Sequence, residues 1–245
     1  MKNTKHWKYI RDQILKKIYY HLHQKPFHYY NYLNGVKHKF YIDNFHAFLH
    51  ATSYHNWEKD TCRFIMEHYK PGDVVYDIGA NMGVFSLYSI QQRCRLFAFE
   101  PHPGNYTCLQ HNMEINKTRN IDAYCIAISN ITGFNSIKIR DDIYCTISKE
   151  GTTGCICFTM DDVVKSLPFP IHVKIDVDGN ERDILEGMKQ MLKDMRLKTL
   201  IVELCPVSVN MADAVICEKM ILDAGFKLID VSSGFNNNHF YVKGS

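Results

Sequence analysis

Residues 73 to 101 constrain the fold of this chain more than any other segment. The apolar run Val74–Ile78 leads into a turn with two glycines, Gly79-Ala-Asn-Met-Gly83, and a second apolar run ends at Glu100. Small residues let the backbone approach a ligand, and the start of the following helix offers free N–H groups. An acid about 20 residues after the first glycine is placed to reach ribose hydroxyls. The segment therefore predicts a strand, turn, helix and strand that form a pocket for an adenosine-containing cofactor.

Strands and helices alternate along the rest of the sequence. Hydrophobic periodicity predicts strands over 36–42, 95–100, 121–128, 171–177, 200–204, 226–231 and 239–242, and helices over 56–69, 85–91, 103–116, 180–192 and 211–222. We interpret 130–160 as an irregular β insertion. The basic segment 1–33 is interpreted as containing an amphipathic helix that packs on the domain, in preference to one that docks on a membrane or a partner. The alternation predicts an α/β fold with a mainly parallel sheet covered on both faces.

The carboxyl ends of parallel strands form one edge of a sheet, and ligands bind there. We therefore expect the residues that end five predicted strands to face one crevice: Asp77, Glu100, Ala127, Asp176 and Glu203. We also expect Asn180 to cap the helix that follows Asp176.

The net charge and the cysteine pattern exclude several classes of function for this chain. The formal net charge of +3 is too small an imbalance to indicate nucleic acid or an anionic membrane. The nine cysteines contain no C-x-x-C pair, and the sequence has no signal peptide and no run apolar enough to span a membrane. We therefore expect a cytoplasmic protein with free thiols, no nucleic-acid partner and no transmembrane segment. Nothing in the sequence predicts an oligomeric state.

Two adenosine cofactors compete for the glycine turn. Nicotinamide dinucleotides require G-x-G-x-x-G, in which the middle glycine makes room for the pyrophosphate, and here Asn81 stands at that position. Asp77 would also add negative charge beside the pyrophosphate. S-adenosylmethionine carries no phosphate but a sulfonium and an ammonium, so the electrostatics favour it.

Residues 74–87, 98–103 and 173–181 resemble the FkbM-type methyltransferases. Shorter pieces at 159–162, 184–187 and 201–203 fit as well, and the similarity spans about residues 56 to 230. The resemblance implies a Rossmann-like class I methyltransferase fold with seven strands, the last antiparallel, and methyl transfer from S-adenosylmethionine to a hydroxyl of a sugar, a glycan or another small natural product. It also implies a methyltransferase domain over 56–245. Residues 1–55 then form an N-terminal extension of helix and strand, a lid or substrate region. Together with the 130–158 insertion it is expected to shape substrate choice.

Candidate roles follow for the residues at the strand ends. The turn residues would wrap the methionine and ribose portions, and Glu100 would hold the ribose diol unless it caps the next helix. Asp176 is the first candidate for general base, because Lys174 lies on the same side of the strand and keeps it ionised; a structural ion pair is the alternative. The full candidate set comprises cofactor residues Asp77, Gly79, Ala80, Asn81, Gly83, Glu100, Pro101 and Ala127, catalytic residues Lys174, Asp176 and Glu203, and substrate residues His102, Asp178, Glu181 and His239.

Other interpretations stay open at this point. Asp176 and Glu203 could share a magnesium or manganese ion, although we favour a site without metal. Isolated histidines such as His50 and His172 are interpreted as surface or core residues. The alternative functions are an NAD(P)-dependent oxidoreductase of Rossmann type, a methyltransferase that acts on a protein or another macromolecule, and a non-catalytic binding module. The sequence does not identify the acceptor.

Overall fold

The computed structural model describes residues 19, 25–33, 35–140, 144–177, 179–204, 210–232 and 237–244. The strands in these ranges are β1 (Phe27–Leu33), β2 (Val36–Ile42), β3 (Val74–Ile78), β4 (Arg95–Phe99), β5 (Ile121–Tyr124), β6 (Ala127–Ile128), β7 (Gly133–Arg140), β8 (Tyr144–Ile147), β9 (Thr153–Phe158), β10 (His172–Ile175), β11 (Thr199–Glu203), β12 (Phe226–Val231) and β13 (Asn238–Lys243). The helices are α1 (Phe45–Trp57), α2 (Lys59–His68), α3 (Val84–Ser89), α4 (Pro103–Ile115), α5 (Met160–Val163), α6 (Glu181–Glu186), α7 (Lys189–Lys193) and α8 (Met211–Asp223), and a short 3₁₀ helix, Ile90–Gln92, follows α3. None of these helices has the length and apolar character that crossing a membrane requires.

Seven strands form the central sheet, in the order β12-β13-β11-β10-β3-β4-β5. All neighbours are parallel except β13, which runs antiparallel to both β11 and β12. β3 and β10 lie side by side at the centre, with Asp77 opposite Lys174. The predicted seven-stranded, mainly parallel sheet with an antiparallel last strand is therefore confirmed.

Both faces of the central sheet are covered, which explains its nearly continuous apolar strands. Every residue of β10 and β11 is buried. Because side chains alternate between the faces, Val75 and Ile201 pack with α1 to α4, whereas Tyr76 and Val202 pack with α5 to α8. The predicted helices on both faces are present.

The N-terminal region contains the predicted strand 36–42, and a second strand occupies part of the segment 1–33 interpreted as containing a helix. Residues 27–33 form β1, which pairs with the predicted strand β2, and 45–57 form a helix. Phe40 and Phe45 belong to the same apolar cluster as the central sheet. The predicted basic helix falls largely on residues 1–18 and 20–24, outside the described ranges, and the domain boundary at residue 55 stays a prediction.

The insertion forms a regular second sheet in the order β6-β9-β7-β8. The predicted strand 121–128 is therefore wrong as one unit: β5 ends at Tyr124 in the central sheet, and Ala127 pairs with Cys157 in the small sheet. The predicted helix 180–192 is also divided, at Gly187. A Cβ at Gly187 would lie 2.0 Å from the backbone oxygen of Ser129, so the chain bends where it meets β6.

Asn180 connects the two sheets instead of capping α6. Its side chain makes no capping hydrogen bond, and its Oδ1 accepts a hydrogen bond from the Ile147 N–H at 3.2 Å. The capping prediction is wrong because the small sheet supplies a backbone donor that competes for the same side chain.

Gly79 allows the end of β10 to approach the turn after β3. Its φ is +80°, and a Cβ built on it would lie 1.9 Å from the backbone oxygen of Asp176. On the other side, the Gly79 N–H donates to the Phe99 carbonyl at 2.9 Å. One residue without a side chain thus sets the spacing of three strand ends.

We expect Gly79→Ala to lower the free energy of unfolding by clearly more than the roughly 1–2 kcal/mol that a left-handed alanine costs, because its methyl group collides with backbone. Gly72→Ala is the matched control, since Gly72 has φ +89° but nothing within 4 Å of its Cβ position. Urea unfolding of both variants measures the difference. Equal losses would show that β10 moves aside without cost.

Candidate functional site

The backbone N–H groups of the turn after β3 are all hydrogen-bonded within the protein. Each N–H from residue 79 to 83 donates to a protein oxygen within 3.1 Å: Gly79 and Ala80 to Phe99 O, Asn81 to Glu100 Oε2, Met82 to the Asn81 side chain and Gly83 to Ala80 O. The free N–H groups are predicted at the start of the next helix, which begins at Val84, after these five residues. A pyrophosphate needs such donors, so the turn suits a ligand without phosphates.

Glu100 fastens this turn to the start of α4. Its Oε2 accepts from the Asn81 N–H and its Oε1 from the His102 N–H, both at 2.8 Å, and only 4% of the residue is exposed. Burial raises the pKa of the carboxyl to about 7, against the hydrogen bonds from His102, Asn81 and Asn105. The alternative role that the sequence left open, an acid that holds the helix start, has direct contacts here. The ribose role stays a prediction.

Lys174 lies between two carboxylates at the centre of the carboxyl edge. Its Nζ donates to Asp176 Oδ2 at 2.7 Å, lies 4.0 Å from Asp77 Oδ1 and stands 4.0 Å from the centre of the Phe85 ring. Burial raises the pKa of Asp77, although Lys174 and a 2.6 Å hydrogen bond from Ser86 Oγ oppose the rise. Burial is the largest influence on Asp176 and acts against its ionisation, but Lys174, the hydrogen bond with Glu203 and His50 together lower the pKa of Asp176 below its usual value. The predicted Lys174–Asp176 pair is thus present, with Asp176 ionised.

Glu203 completes this group from the neighbouring strand. Its carboxyl group is hydrogen-bonded to that of Asp176. A hydrogen bond between two carboxyl groups contains one proton, which the pair shares. The expectation that Asp77, Asp176 and Glu203 meet at one edge is met by the geometry.

His50 is a site residue that the sequence interpretation missed. It lies on α1 within electrostatic reach of Asp176 and Lys174, with His46 one turn away on the same helix face. Burial lowers the pKa of His50, Asp176 opposes this, and His46 and Lys174 add to it. The imidazole is therefore neutral at pH 7. The His46/His50 spacing was the only signal in the sequence, and it carries no motif.

Pro101 and Ala127 lie at an apolar cavity between the carboxyl edge and the small sheet. Gly79 and Val177 bound it on the side of the central sheet, and its remaining lining residues are Ile78, Phe99, Ile126, Ile128, Ile137, Cys145, Ile147 and Asn180. The structure thus brings together three of the eight predicted cofactor residues, Gly79, Pro101 and Ala127. The lining of the cavity is mainly apolar.

The structure separates two predicted substrate histidines from this group. His102 Nδ1 accepts from the Gly104 and Asn105 N–H groups at 3.1 and 3.2 Å, so its ring caps α4. His239 lies opposite Val202, on the face of the sheet covered by α8, while Asp176 and Glu203 lie on the other face. Neither position supports the substrate role that the sequence suggested.

The remaining predicted residues have other surroundings. Glu181 is fully buried, and its Oε1 accepts from the Gly179 N–H at 3.1 Å, which leaves it closed to a substrate. Asp178 lies outside the described residues. His172 bridges Asp73 and Thr199 with 2.8 Å contacts at the opposite edge of the sheet, as a core histidine. Within the described ranges, no group of three or more His, Cys, Asp and Glu side chains is arranged to hold a metal ion.

A profile of the Methyltransferase FkbM domain matches residues 77–228. The chain belongs to this family. It is 28% identical over 143 residues to the hexuronic acid methyltransferase AglP of Haloferax volcanii. The matched stretch covers 56% of this chain and 59% of AglP. It is 24% identical over 151 residues to a tRNA (guanine(37)-N(1))-methyltransferase of Drosophila melanogaster. The matched stretch covers 60% of this chain and 28% of that protein. The chain therefore spans less than two thirds of the length of these relatives.

Solved structures share the fold. Methyltransferase FkbM from Methylobacillus flagellatus KT superimposes with a TM-score of 0.54 at 17% identity, covering 71% of this chain and 44% of that chain. Magnesium protoporphyrin IX methyltransferase ChlM from Synechocystis PCC 6803, with bound SAM, gives a TM-score of 0.52 at 14% identity over 83% of this chain and 86% of ChlM. The predicted Rossmann-like class I methyltransferase fold is confirmed.

S-adenosylmethionine is the cofactor that goes with this family and fold, as predicted, and the nicotinamide alternative is not retained. Two features of the site fit it. The turn holds no unused N–H between residues 79 and 83 for a pyrophosphate. The buried Asp77 Oδ1 has no hydrogen-bond partner among the described residues, and such an atom is suited to accept from an ammonium group.

The raised pKa of Glu100 makes stability depend on pH. The neutral carboxyl is favoured in the folded protein, so its contribution is complete below pH 4.5 and is lost as pH rises through about 7, a difference of about 3 kcal/mol. Glu100→Gln cannot ionise. We expect the wild type to lose about that much unfolding free energy relative to this variant between pH 4.5 and 8, measured by urea unfolding.

Glu67→Gln, at an exposed glutamate of α2, is the control and should show no such change relative to wild type. If the difference between wild type and Glu100→Gln stays constant with pH, Glu100 keeps its ordinary pKa in the folded protein.

Proposed function

We propose that this chain transfers a methyl group from S-adenosylmethionine to a hydroxyl of a sugar or glycan. When bound, the cofactor supplies a methyl carbon made electrophilic by its sulfonium. The protein's own task is then to hold the acceptor oxygen in line with that carbon and to receive the hydroxyl proton.

The position of Asp176 is the observation that carries this proposal. Its backbone oxygen contacts the turn at Gly79, and its carboxylate is kept ionised by Lys174. An ionised carboxylate beside the cofactor turn accepts a hydrogen bond from a hydroxyl and thereby orients the oxygen lone pair. Asp77, Asp176 and the single cation Lys174 leave net negative charge in this group, which favours a cationic cofactor.

Proton removal is assigned to the pair Asp176 and His50. Lys174 weakens Asp176 as a base, because it stabilises the charged carboxylate. His50 is neutral at pH 7 and can take a proton, and the adjacent Asp176 carboxylate stabilises the imidazolium that forms. In this division of roles Asp176 orients and His50 accepts the proton, while Glu203 fixes Asp176 through the shared hydrogen bond.

Two further observations support a sugar or glycan as the acceptor. The hexuronic acid methyltransferase AglP is related to this chain over more than half of both sequences. The tRNA methyltransferases are also related, but the match covers 28% of the Drosophila protein, and a net charge of +3 is small for a protein that binds a polyanion. A macromolecular acceptor is therefore the second candidate.

We expect Asp176→Asn to bind S-adenosylmethionine within a few-fold of wild type but to turn over at least about 100-fold more slowly, because the amide cannot orient the hydroxyl as an anion does. Calorimetry with the cofactor and transfer of a radiolabelled methyl group measure the two quantities. Unchanged turnover would remove Asp176 from the mechanism. Thermal unfolding checks that the variant is folded, since Lys174 loses a charged partner.

His50 gives a separate prediction about pH. A base must be neutral, so kcat/KM of the wild type should fall as pH drops through a value below 6.5, the ordinary pKa that burial lowers. His50→Gln should reduce kcat and abolish this acid limb. His68→Gln is the matched control, because burial also lowers the pKa of His68 but its ring packs on Phe64. An unaltered limb in His50→Gln would assign the proton to another group.

The acceptor itself is tested by offering uronic acids, neutral glycosides and a tRNA transcript to the same enzyme with labelled cofactor. We expect label in the sugars, on oxygen, as located by NMR. Label in tRNA alone would replace the proposal by its second candidate.

A further inference from the structure

The hairpin β1–β2 has an outward face of unusual composition. Residues directly opposite each other in an antiparallel pair share a face, and alternate residues along a strand do so as well. The register therefore places six side chains on one face, which we call the outer face: His28, Tyr30, Tyr32, Lys37, Lys39 and Tyr41.

The opposite face of the hairpin is already used. Phe40 and Ile42 are buried in the apolar cluster of the central sheet, and Phe27 and Tyr29 pack against it. His28, Tyr30, Tyr32 and Lys37 of the outer face are exposed, whereas Tyr41 at its end packs against the cluster and the His111 ring. Tyr30 is 50% exposed and Tyr32 57%, and His28 is exposed too. A solvent face of a hairpin is usually polar, so an exposed row of rings indicates a surface that binds something.

The two lysines stand beside these rings. Lys37 Nζ lies 4.3 Å from the centre of the Tyr30 ring and Lys39 Nζ 5.9 Å from it. Such contacts keep an ammonium next to an aromatic surface. The unit therefore offers flat apolar area, phenol hydroxyls and positive charge within one short strip. A ligand that matches all three has C–H faces, hydroxyls and carboxylates, which are the groups of an acidic sugar residue.

The strip lies along the C-terminal half of α4, where Asn112 Nδ2 donates to the Met82 carbonyl of the turn after β3 at 2.8 Å. The Tyr41 N–H donates to Asn112 Oδ1 at 2.7 Å and the Lys39 N–H to Asn116 Oδ1 at 2.9 Å. Because α4 begins at the carboxyl edge beside Glu100 and runs away from it, Tyr41 is the end nearer the site. From Tyr41 to Lys37 the strand covers about 13 Å, at about 3.3 Å per residue. That length accommodates more than one sugar ring.

We propose that the outer face binds a segment of an acidic oligosaccharide whose end occupies the methyl-transfer site. The inference rests on the proposed function and names the class of acceptor, an anionic glycan chain. Single-stranded nucleic acid also combines rings with negative charge, but it is bound by grooves with positive charge along their whole length. The outer face has two lysines, and Asp43 lies beside Tyr41, which makes nucleic acid the poorer match.

The test uses the variant Tyr30→Thr/Tyr32→Thr/Lys37→Gln, in which threonine keeps the strand propensity. The probe is a galacturonic acid tetramer, titrated by calorimetry at low salt, with its methyl ester as the uncharged counterpart. We expect the dissociation constant of the variant to rise at least about tenfold, the effect of losing two aromatic contacts and a charge. The ester should bind the wild type more weakly than the acid.

Phe134→Thr/Lys138→Gln is the matched control, because it removes an exposed ring and a lysine from the small sheet. It should bind the tetramer as the wild type does. Equal affinity of the triple variant and wild type, or no binding of the tetramer to wild type, would overturn the inference. So would a single-stranded RNA oligonucleotide that binds more tightly than the tetramer and is lost in the same variant.

Failure of the proposed function is a separate result. Binding of the tetramer is measured without turnover, and methyl transfer is measured with a uronic acid monosaccharide that is too short to reach the outer face. Transfer to the monosaccharide should be unchanged in the triple variant, while KM for the tetramer rises. Tetramer binding at the outer face without transfer to any sugar would contradict the proposed function and keep the binding surface.

Discussion

The buried ammonium of Lys174 is the interaction on which the rest of this site depends. Its side chain is 4% exposed and lies 2.7 Å from Asp176 and 4.0 Å from Asp77. A lone ammonium at this depth would cost several kcal/mol, and removal of one partner of a buried pair typically costs about 3–5 kcal/mol. The carboxylate proposed to orient the acceptor is therefore also a requirement of the fold, because it is a charged partner of the ammonium that β10 places beside Asp77 of β3. The Lys174 ammonium and the Asp176 carboxylate thus serve both the stability of the fold and the proposed chemistry.

The turn after β3 is held from both sides, and this limits how it can recognise a ligand. Gly79 admits the backbone of Asp176, and Glu100 takes the N–H of Asn81. The backbone N–H groups of residues 79 to 83 already donate to protein oxygens. The turn therefore contributes to ligand recognition through its shape more than through hydrogen bonds. Polar recognition must then come from side chains such as Asp77 and Asp176. This is the physical reason why the same strand–turn–helix order that holds a dinucleotide elsewhere suits a cationic cofactor here.

Local patterns were sufficient to predict the centre of the fold. Glycine spacing and the acid at residue 100 define the β3–β4 unit, and Lys174 and Asp176 share a face by simple alternation along a strand. The contacts that could not be predicted join distant segments. His50 lies near Asp176 only because α1 packs on the sheet. The residues around His50 in the sequence give no signal that predicts this contact. His239 was misplaced because the face of an antiparallel strand depends on register, which a shift of one residue reverses.

Two additions to the central sheet supply what the shared motifs do not. The small sheet brings Ile137 and Ile147 to the cavity that includes Pro101, while α1 brings His50 to the side of Asp176. Each addition is anchored by asparagine side chains that bind backbone: Asn180 holds β8, and Asn112 and Asn116 hold β2. These bonds also occupy the open edge of β2, which would otherwise be available for pairing with another chain. Substrate choice then rests on segments whose position depends on a few polar anchors. Their sequences can vary without disturbing the buried charges that the cofactor requires.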